Sequence, residues 1–347
     1  MNNERLNQQA IADMLNISQS TVTKVLNHDP TYRVSDDTRE LILKTAKEVG
    51  YQPRRRRTGN IAFVMANEMT LPNYEFLRAL CEEAARMQRR VYLVNTGTMP
   101  SYEEISLMAN PLTADGVIIS GELSVRVLSR LSEIMPTVAM EMYSPADVGI
   151  NLSAASSGPY GMPVDVVRAD MSALTTMLVE HMIECGHRDI AMMAYSFSSM
   201  AGRLAIEGYR YALEQAKIKY DPSLVWERRG REYPDLIMDI LGHPRKPTVI
   251  YGGTTTEHVA IISTLQALGK RVPDDISYVG WSCPKAFRSE YSALPEITGF
   301  DGFFQNIAQT AMHRIVDRIE NKSMPVEDIV VSLNIQVGKS CQKPGNI

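Results

Sequence analysis

Cysteine is scarce and scattered in this chain. Cys81, Cys185, Cys283 and Cys341 are the only four, no Cys-x-x-Cys pair occurs, and no His is read at metal-ligand spacing. A disulfide framework, a bound metal and a metal cofactor are therefore not expected, and the thiols read as reduced thiols of a cytosolic protein. Long apolar runs are also missing. The opening MNNERLNQQ is polar, with no apolar signal core, and no run approaches the length of a membrane span. Neither secretion nor a membrane partner is expected, and the expected location is cytoplasmic. Gly-x-Ser-x-Gly, a Walker-type loop, a dinucleotide glycine motif and a His/Asp metal cluster are absent as well. No cofactor and no enzymatic activity are expected. His181, His187 and His258 are scattered, and His187 in GHRDI reads as a turn residue before a strand.

What is present is the balance of a globular protein: 347 residues, 44% hydrophobic and 22% charged. That length implies a head and a larger body. The formal net charge of −4 is unevenly spread, because residues 1–57 hold ten Lys/Arg against seven Asp/Glu and the remainder is acidic. Only the head invites a polyanion. The 20 methionines read as gap-filling core residues.

Residues 8–27, QQAIADMLNISQSTVTKVLN, carry the strongest pattern. Asn7 or Gln8 can open a helix whose Ala10, Ile11, Met14 and Leu15 form one apolar stripe, with the small Ala12 where a second helix would cross. Asn16 stands at the sharp turn and tolerates a left-handed backbone. Ser18 caps the second helix, whose Val22, Val25 and Leu26 face inward, leaving Gln19, Ser20, Thr23 and Lys24 outward. This is the layout of a helix-turn-helix, which presents such positions to DNA. An ordinary helical hairpin is the competing reading. VSDDTRELILKTAKEVGYQP supplies a third helix capped by Ser35, with Asp36 and Asp37 in its first turn and Gly50 as terminator. Its Leu41, Ile42, Thr45, Ala46 and Val49 can close a three-helix core. Arg54, Arg55, Arg56 and Arg57 follow, either as phosphate contacts or as a solvated tether.

From Ile61 onward, β-rich runs alternate with helical stretches: IAFVMA, VYLVNT, GVIIS and TVAMEM, then VDVVRAD, DIAMMAY, LVWE, PTVIYG and ISYVGWS. The alternation implies two parallel, doubly wound sheets, hence two lobes with a ligand cleft at the carboxyl ends of their strands. The Ser/Gly/Pro/Ala-rich stretch between Tyr143 and Pro163 reads as a long exposed loop, functional or a neutral insertion. The tail after Val337 reads as disordered.

The order of IADMLNISQSTVTKVLN, the third helix, EHMIECGHRDIAMMAY, GRLAIEGYRYAL and RVPDDISYVGW resembles the lactose-repressor (LacI-type) family of bacterial transcriptional regulators over nearly the whole chain. The resemblance implies an all-α helix-turn-helix head at residues 1–52 and a basic linker with a shortened hinge at 53–60. It also implies a two-lobed, periplasmic-binding-protein-like body at 61–338 and a flexible tail at 339–347. Lobe 1 is expected at about 61–167 and 299–325, lobe 2 at about 168–298 and 326–338. Gln19 and Ser20 fall where the family reads base edges, and Lys24 where an Arg is usual. Ser18, Thr21 and Asn27 fall at positions suited to phosphate contacts, with capping and packing as the plainer reading of Thr21 and Asn27.

Two departures from the family pattern matter. Tyr51-Gln52-Pro53 runs straight into RRRRTGN, so the family's hinge helix is shortened and no Leu is available to wedge into the minor groove. In the sensor, Arg203 matches the family's oxygen-clamping Arg. Thr254 and Thr255 stand where an Asn-Asp pair is usual, and Ser282 or Cys283 where an Asp commonly follows. Tyr74, Glu141, Tyr195, Phe197 and Trp281 complete the expected effector site. Trp281 either stacks on a ligand or sits in the core, and Glu141 is either a pocket acceptor or a strand-end residue. Ordinary monosaccharide recognition is not implied.

The expected partners are a near-palindromic DNA operator, a small-molecule effector of carbohydrate-like class and a second copy of the chain in a homodimer. The reading is a repressor controlled allosterically by an effector between its lobes; the alternatives are a solute-binding module with degenerate DNA readout and an enzyme.

Overall fold

The computed structural model describes residues 7–27, 29, 31–49, 51, 57–66, 71–97, 100–121, 123–141, 162–194, 196–197, 200–228, 230–253, 255–282 and 294–345, apart from the side chains of 71–73, 200, 255, 256 and 282. The expected loop between Tyr143 and Pro163 lies almost wholly outside the described residues.

Three helices make the head: α1 (Gln8–Leu15), α2 (Gln19–Leu26) and α3 (Asp36–Glu48). Each begins on a side-chain cap. Asn7 accepts the Ala10 N–H, Ser18 that of Thr21 and Ser35 that of Thr38, satisfying amides that the helix itself leaves open. Asn16 takes φ 53°, ψ 44° between α1 and α2, the left-handed turn its type tolerates. Ile11, Ala12, Val22, Val25, Leu26, Ile42 and Ala46 form the buried core, bordered by Leu15, Ile17, Tyr32, Val34, Val49 and Tyr51. Of the other expected stripe residues, Ala10 and Thr45 are half-buried and two are exposed. Met14 is 57% and Leu41 49% exposed, because each lies one step around its helix from the inward direction fixed by Ile11 and Ile42. The α3 cap is assigned to Val49, and Gly50 is outside the described residues.

The body divides into two compact units, one containing 151–167 and 308–329 besides the N-terminal part, the other 168–307 and 330–347. The chain thus passes between units after 307 and 329, against the expected 298 and 325. In the first unit, β1 (Asn60–Ala66), β2 (Arg90–Asn95), β3 (Gly116–Gly121), β4 (Thr137–Met140), β5 (Asp165–Arg168) and β11 (Asp328–Val330) form a sheet in the order β11-β5-β4-β3-β1-β2. The pairings from β2 through β5 are parallel. Ile61 to Ala66 are all buried, as a strand covered on both faces requires. Helices α4 (Leu71–Arg86), α5 (Tyr102–Met108) and α6 (Val125–Ile134) connect these strands, and α11 (Phe303–Glu320) returns to this unit. There Arg314 and Arg318 both pair with the fully buried carboxylate of Asp165, which also accepts the Glu327 N–H at 2.9 Å. One charge so satisfied fixes β5, α11 and the approach to β11.

The second unit repeats the plan. Its sheet of β6 (Ile190–Ala194), β7 (Val225–Glu227), β8 (Val249–Tyr251), β9 (Ser277–Ser282), β10 (Thr298–Phe300) and β12 (Ile335–Gln336) runs β12-β10-β9-β8-β6-β7. Helices α7 (Met171–Glu184), α8 (Met200–Gln215), α9 (Tyr233–Gly242) and α10 (Thr255–Ala267) connect its strands. The expectation of a wholly parallel sheet is corrected at one edge: β12 pairs antiparallel with β10, since the returning chain meets that edge running the other way. A second correction concerns the tail. Ser340 is fully buried, donates to the Tyr278 carbonyl at 2.6 Å and accepts the Thr298 N–H at 2.9 Å, and Gln342 N–H bonds Ser277 Oγ at 3.1 Å. The segment expected to be loose is a strap across β9 and β10, because it supplies partners that those strands otherwise lack.

Candidate nucleic-acid interface and ligand edge

Helix α2 divides its polar residues into two groups. Gln19 and Ser20 stand exposed in its first turn, with no side-chain partner among the described residues. The others serve the head itself. Thr21 Oγ1 lies 2.8 Å from Ser18 Oγ and 2.9 Å from Tyr32 Oη, joining the cap to the segment before α3. Thr23 donates its hydroxyl to Gln8 Oε1 at 2.6 Å. Lys24 is exposed, with its ammonium 4.6 Å above the Tyr32 ring, a cation–π contact that aims the charge. Asn27 is the half-buried C-cap of α2. Tyr32 is the residue that sequence reasoning missed. An aromatic between two capped helices was the available signal.

Of the four linker arginines, Arg57 alone is described. Its guanidinium lies 3.7 Å from Glu320, both more than half exposed, so the pairing is weak and exchangeable. Immediately after it the chain is anchored. The Asp115 carboxylate accepts Thr58 N–H at 2.7 Å, Thr58 Oγ1 at 3.0 Å and Gly59 N–H at 2.9 Å, and Arg89 pairs with it at 3.1 Å. Strand β1 starts at Asn60, so the anchor fixes where the basic segment leaves the body.

In each sheet the strand order reverses direction of winding beside β1 or β6, and the carboxyl ends there are where open α/β sheets receive ligands. In the second unit this edge is well defined. Glu227 Oε1, at the end of β7, accepts Ser196 Oγ at 2.9 Å and Phe197 N–H at 2.8 Å, holding the β6–α8 turn so that Phe197 remains exposed. After β8, Gly252 and Gly253 take φ 136° and 86°. A Cβ on Gly252 would lie 2.5 Å from the Met193 carbonyl, so only glycine allows this approach. Trp281 at the end of β9 is half-buried, donates its backbone N–H to the Gly253 carbonyl at 2.8 Å and packs a ring 5.6 Å from that of Tyr251. Nearby, the Tyr233 hydroxyl donates to Glu257 at 2.6 Å while accepting from Arg228 at 2.9 Å. Burial, then the Glu257 charge, pushes its phenol well above the ordinary range, so it stays a neutral donor.

Arg203 is exposed in α8. In the first unit, Tyr74 on α4 is 56% exposed, and Glu141 follows β4 with φ 50° while its N–H bonds the Val167 carbonyl at 2.9 Å. A left-handed Glu at a strand end is the conformation found where a loop must aim a polar side chain. Arg54, Arg55, Arg56, Tyr195 and Thr254 lie outside the described residues, as do the side chains of Thr255 and Ser282 and the alternative Cys283. Among the described residues no helix is long and apolar enough to cross a membrane.

Comparison with known proteins follows this division. Residues 9–54 match the model described as bacterial regulatory proteins, lacI family, and residues 179–341 a periplasmic binding protein-like domain. The HTH-type transcriptional repressor PurR of Haemophilus influenzae (strain PittEE) is 25% identical over 333 residues, 91% of this chain and 92% of that protein. The HTH-type transcriptional regulator DegA of Bacillus subtilis (strain 168) is 27% identical over 303 residues, 83% of this chain and 84% of its own. Among solved structures, the transcriptional regulator CelR in complex with cellobiose shares the fold at TM-score 0.62 and 23% identity, covering 97% of this chain and all of that one. The lac repressor dimer bound to operator and an anti-inducer does so at TM-score 0.61 and 18% identity, covering 98% and 100%.

Proposed function

The chain belongs to the lacI family of bacterial regulatory proteins, and on that footing we propose that it is a sequence-specific transcriptional regulator, a repressor whose hold on its operator a small molecule controls. The observation that carries this reading is the head: a capped, left-handed turn delivers α2 with Gln19 and Ser20 exposed at its N-terminal end while its other hydroxyls are consumed internally. Gln reads adenine by a two-bond contact, and a short hydroxyl accepts or donates to several base edges. Lys24 contacts phosphate beside them while Ser18, Thr21 and Asn27 hold the helix in register, and the arginine run from Arg54 to Arg57 adds sequence-independent attraction.

The effector is read from the second unit's carboxyl edge. Phe197 and Trp281 offer aromatic faces, and Arg203 offers a forked donor for hydroxyl, carboxylate or phosphate oxygens. Thr254 and Thr255, where the family's Asn-Asp pair is usual, accept fewer hydrogen bonds from a vicinal diol than a carboxylate does. The effector class that fits is a carbohydrate derivative carrying an acidic or planar group, not an ordinary monosaccharide. The transcriptional regulator CelR likewise takes a carbohydrate larger than a monosaccharide, cellobiose. The chain acts as a homodimer in the cytoplasm, where its DNA is. The effector must bind two arrangements of the body unequally, since equal affinity shifts nothing.

Genome-wide mapping of bound DNA, followed by titration of the recovered site with metabolites of the neighbouring genes, tests this reading. Discrete sites released or tightened by one such metabolite are expected. Salt-sensitive binding spread evenly over the genome, with ligand binding intact, would instead identify a solute-binding module with degenerate readout.

A further inference from the structure

Cys185 and Cys341 are far apart in sequence, but the tail strap brings them together. Cys341 lies next to Ser340, whose bonds to Tyr278 and Thr298 pin the strap, and Cys185 ends α7 one turn after His181. The ligand atoms of His181, Cys185 and Cys341 all lie within 4.8 Å of one another. Cys185 Sγ is 3.8 Å from His181 Nε2, and Cys341 Sγ is 3.7 Å from the Nε2 of a second imidazole, His187.

These separations have a chemical meaning. With zinc–sulfur and zinc–nitrogen bonds of about 2.3 and 2.0–2.1 Å, a tetrahedral site holds its sulfur and nitrogen ligands about 3.6 Å apart. The Cys185–His181 separation sits at that edge length. We propose that His181, Cys185 and Cys341, with water as the fourth donor, form a binding site for a thiophilic divalent metal ion, zinc foremost, that fastens the C-terminal strap to α7.

Two thiolates and a divalent cation sum to a neutral group, which suits a site containing the buried Cys341. Cys185 and His181 are only half-buried, so an ion has a path in. Two sulfurs and an imidazole select zinc over magnesium or calcium.

The test uses the full chain, reduced, stripped with chelator and free of any affinity histidines, titrated with Co²⁺ as a spectroscopic probe and then with Zn²⁺. One ion per chain, the intense visible bands of tetrahedral cobalt with a sulfur-to-cobalt charge-transfer band, displacement of both by zinc, and a higher melting temperature with zinc are expected. Cys341→Ser should weaken the charge-transfer band, with Cys185 left as the remaining sulfur, and lose at least about tenfold in affinity. If Cys341→Ser fails to fold, His181→Gln on the half-exposed helix face carries the same test, with far-UV circular dichroism of the metal-free variant as the folding control. A chain that takes up no metal overturns the proposal. So does uptake that survives Cys185→Ser combined with Cys341→Ser.

Discussion

Thr23 donates its hydroxyl to the side-chain oxygen of Gln8 at 2.6 Å, binding the helix that carries Gln19 and Ser20 to the first turn of the helix before it. The bond separates residues that hold the reading helix from residues free to read.

Gln19→Ala and Ser20→Ala should each lose about 1–3 kcal/mol of discrimination between operator and scrambled duplex while changing non-specific affinity little. Thr23→Val, by contrast, should lower head stability by about 1–3 kcal/mol, the cost of leaving a part-buried partner unmatched. Fluorescence anisotropy on paired duplexes, together with thermal unfolding, separates the two classes. Equal losses on both DNAs for Gln19→Ala would remove it from base readout.

Arg57 shares its charge only weakly with the exposed Glu320. On DNA it should exchange that carboxylate for a phosphate, so Arg57→Gln should reduce the slope of log affinity against log salt by about 0.9. Neutralising Arg54 to Arg57 together should flatten it several times further. An unchanged slope over a salt titration would confine the run to tethering.

Arg203→Ala should abolish the response to effector while operator affinity without effector stays within about twofold, since the residue is exposed on a helix of the second unit and belongs to no DNA-facing element. A ligand-shifted melting curve that remains normal in this variant would place the sensor site elsewhere.

Gly252→Ala should cost several kcal/mol, because φ 136° and a carbonyl 2.5 Å from the added Cβ leave nowhere for it to go. Ser340→Ala should cost about 1–3 kcal/mol by orphaning the buried Thr298 N–H. Chemical denaturation of each variant checks both. A stability unchanged by Ser340→Ala would show the strap to be loose.

The head was largely legible in the sequence because its information is local: Ser18, Ser35 and Asn16 act on amides within a few residues of themselves, and the apolar spacing of Val22, Val25 and Leu26 sets one face. Met14 and Leu41 were misjudged because apolar type alone does not say which side of a short helix faces its neighbours. The alternating strands of the body were equally readable as continuous apolar runs. What escaped depends on pairing between distant residues. Nothing near Ser340 announces that it completes β9 and β10, nothing near Asp115 that it anchors Gly59, and nothing near Glu227 that it sets the Phe197 turn. The pair of cysteines at 185 and 341 escaped for the same reason, although His181 and Cys185 at one helical turn were a readable half of the cluster.

The most direct measurement is selection of bound sequences from a pool of random duplexes by the full chain. Enrichment of a near-palindromic site, with half-sites about one helical turn apart and base preferences that relax in Gln19→Ala, is the expected result. A recovered pool no different in base order from the starting pool, with or without candidate effectors, would contradict the assignment of the head as a sequence-reading unit.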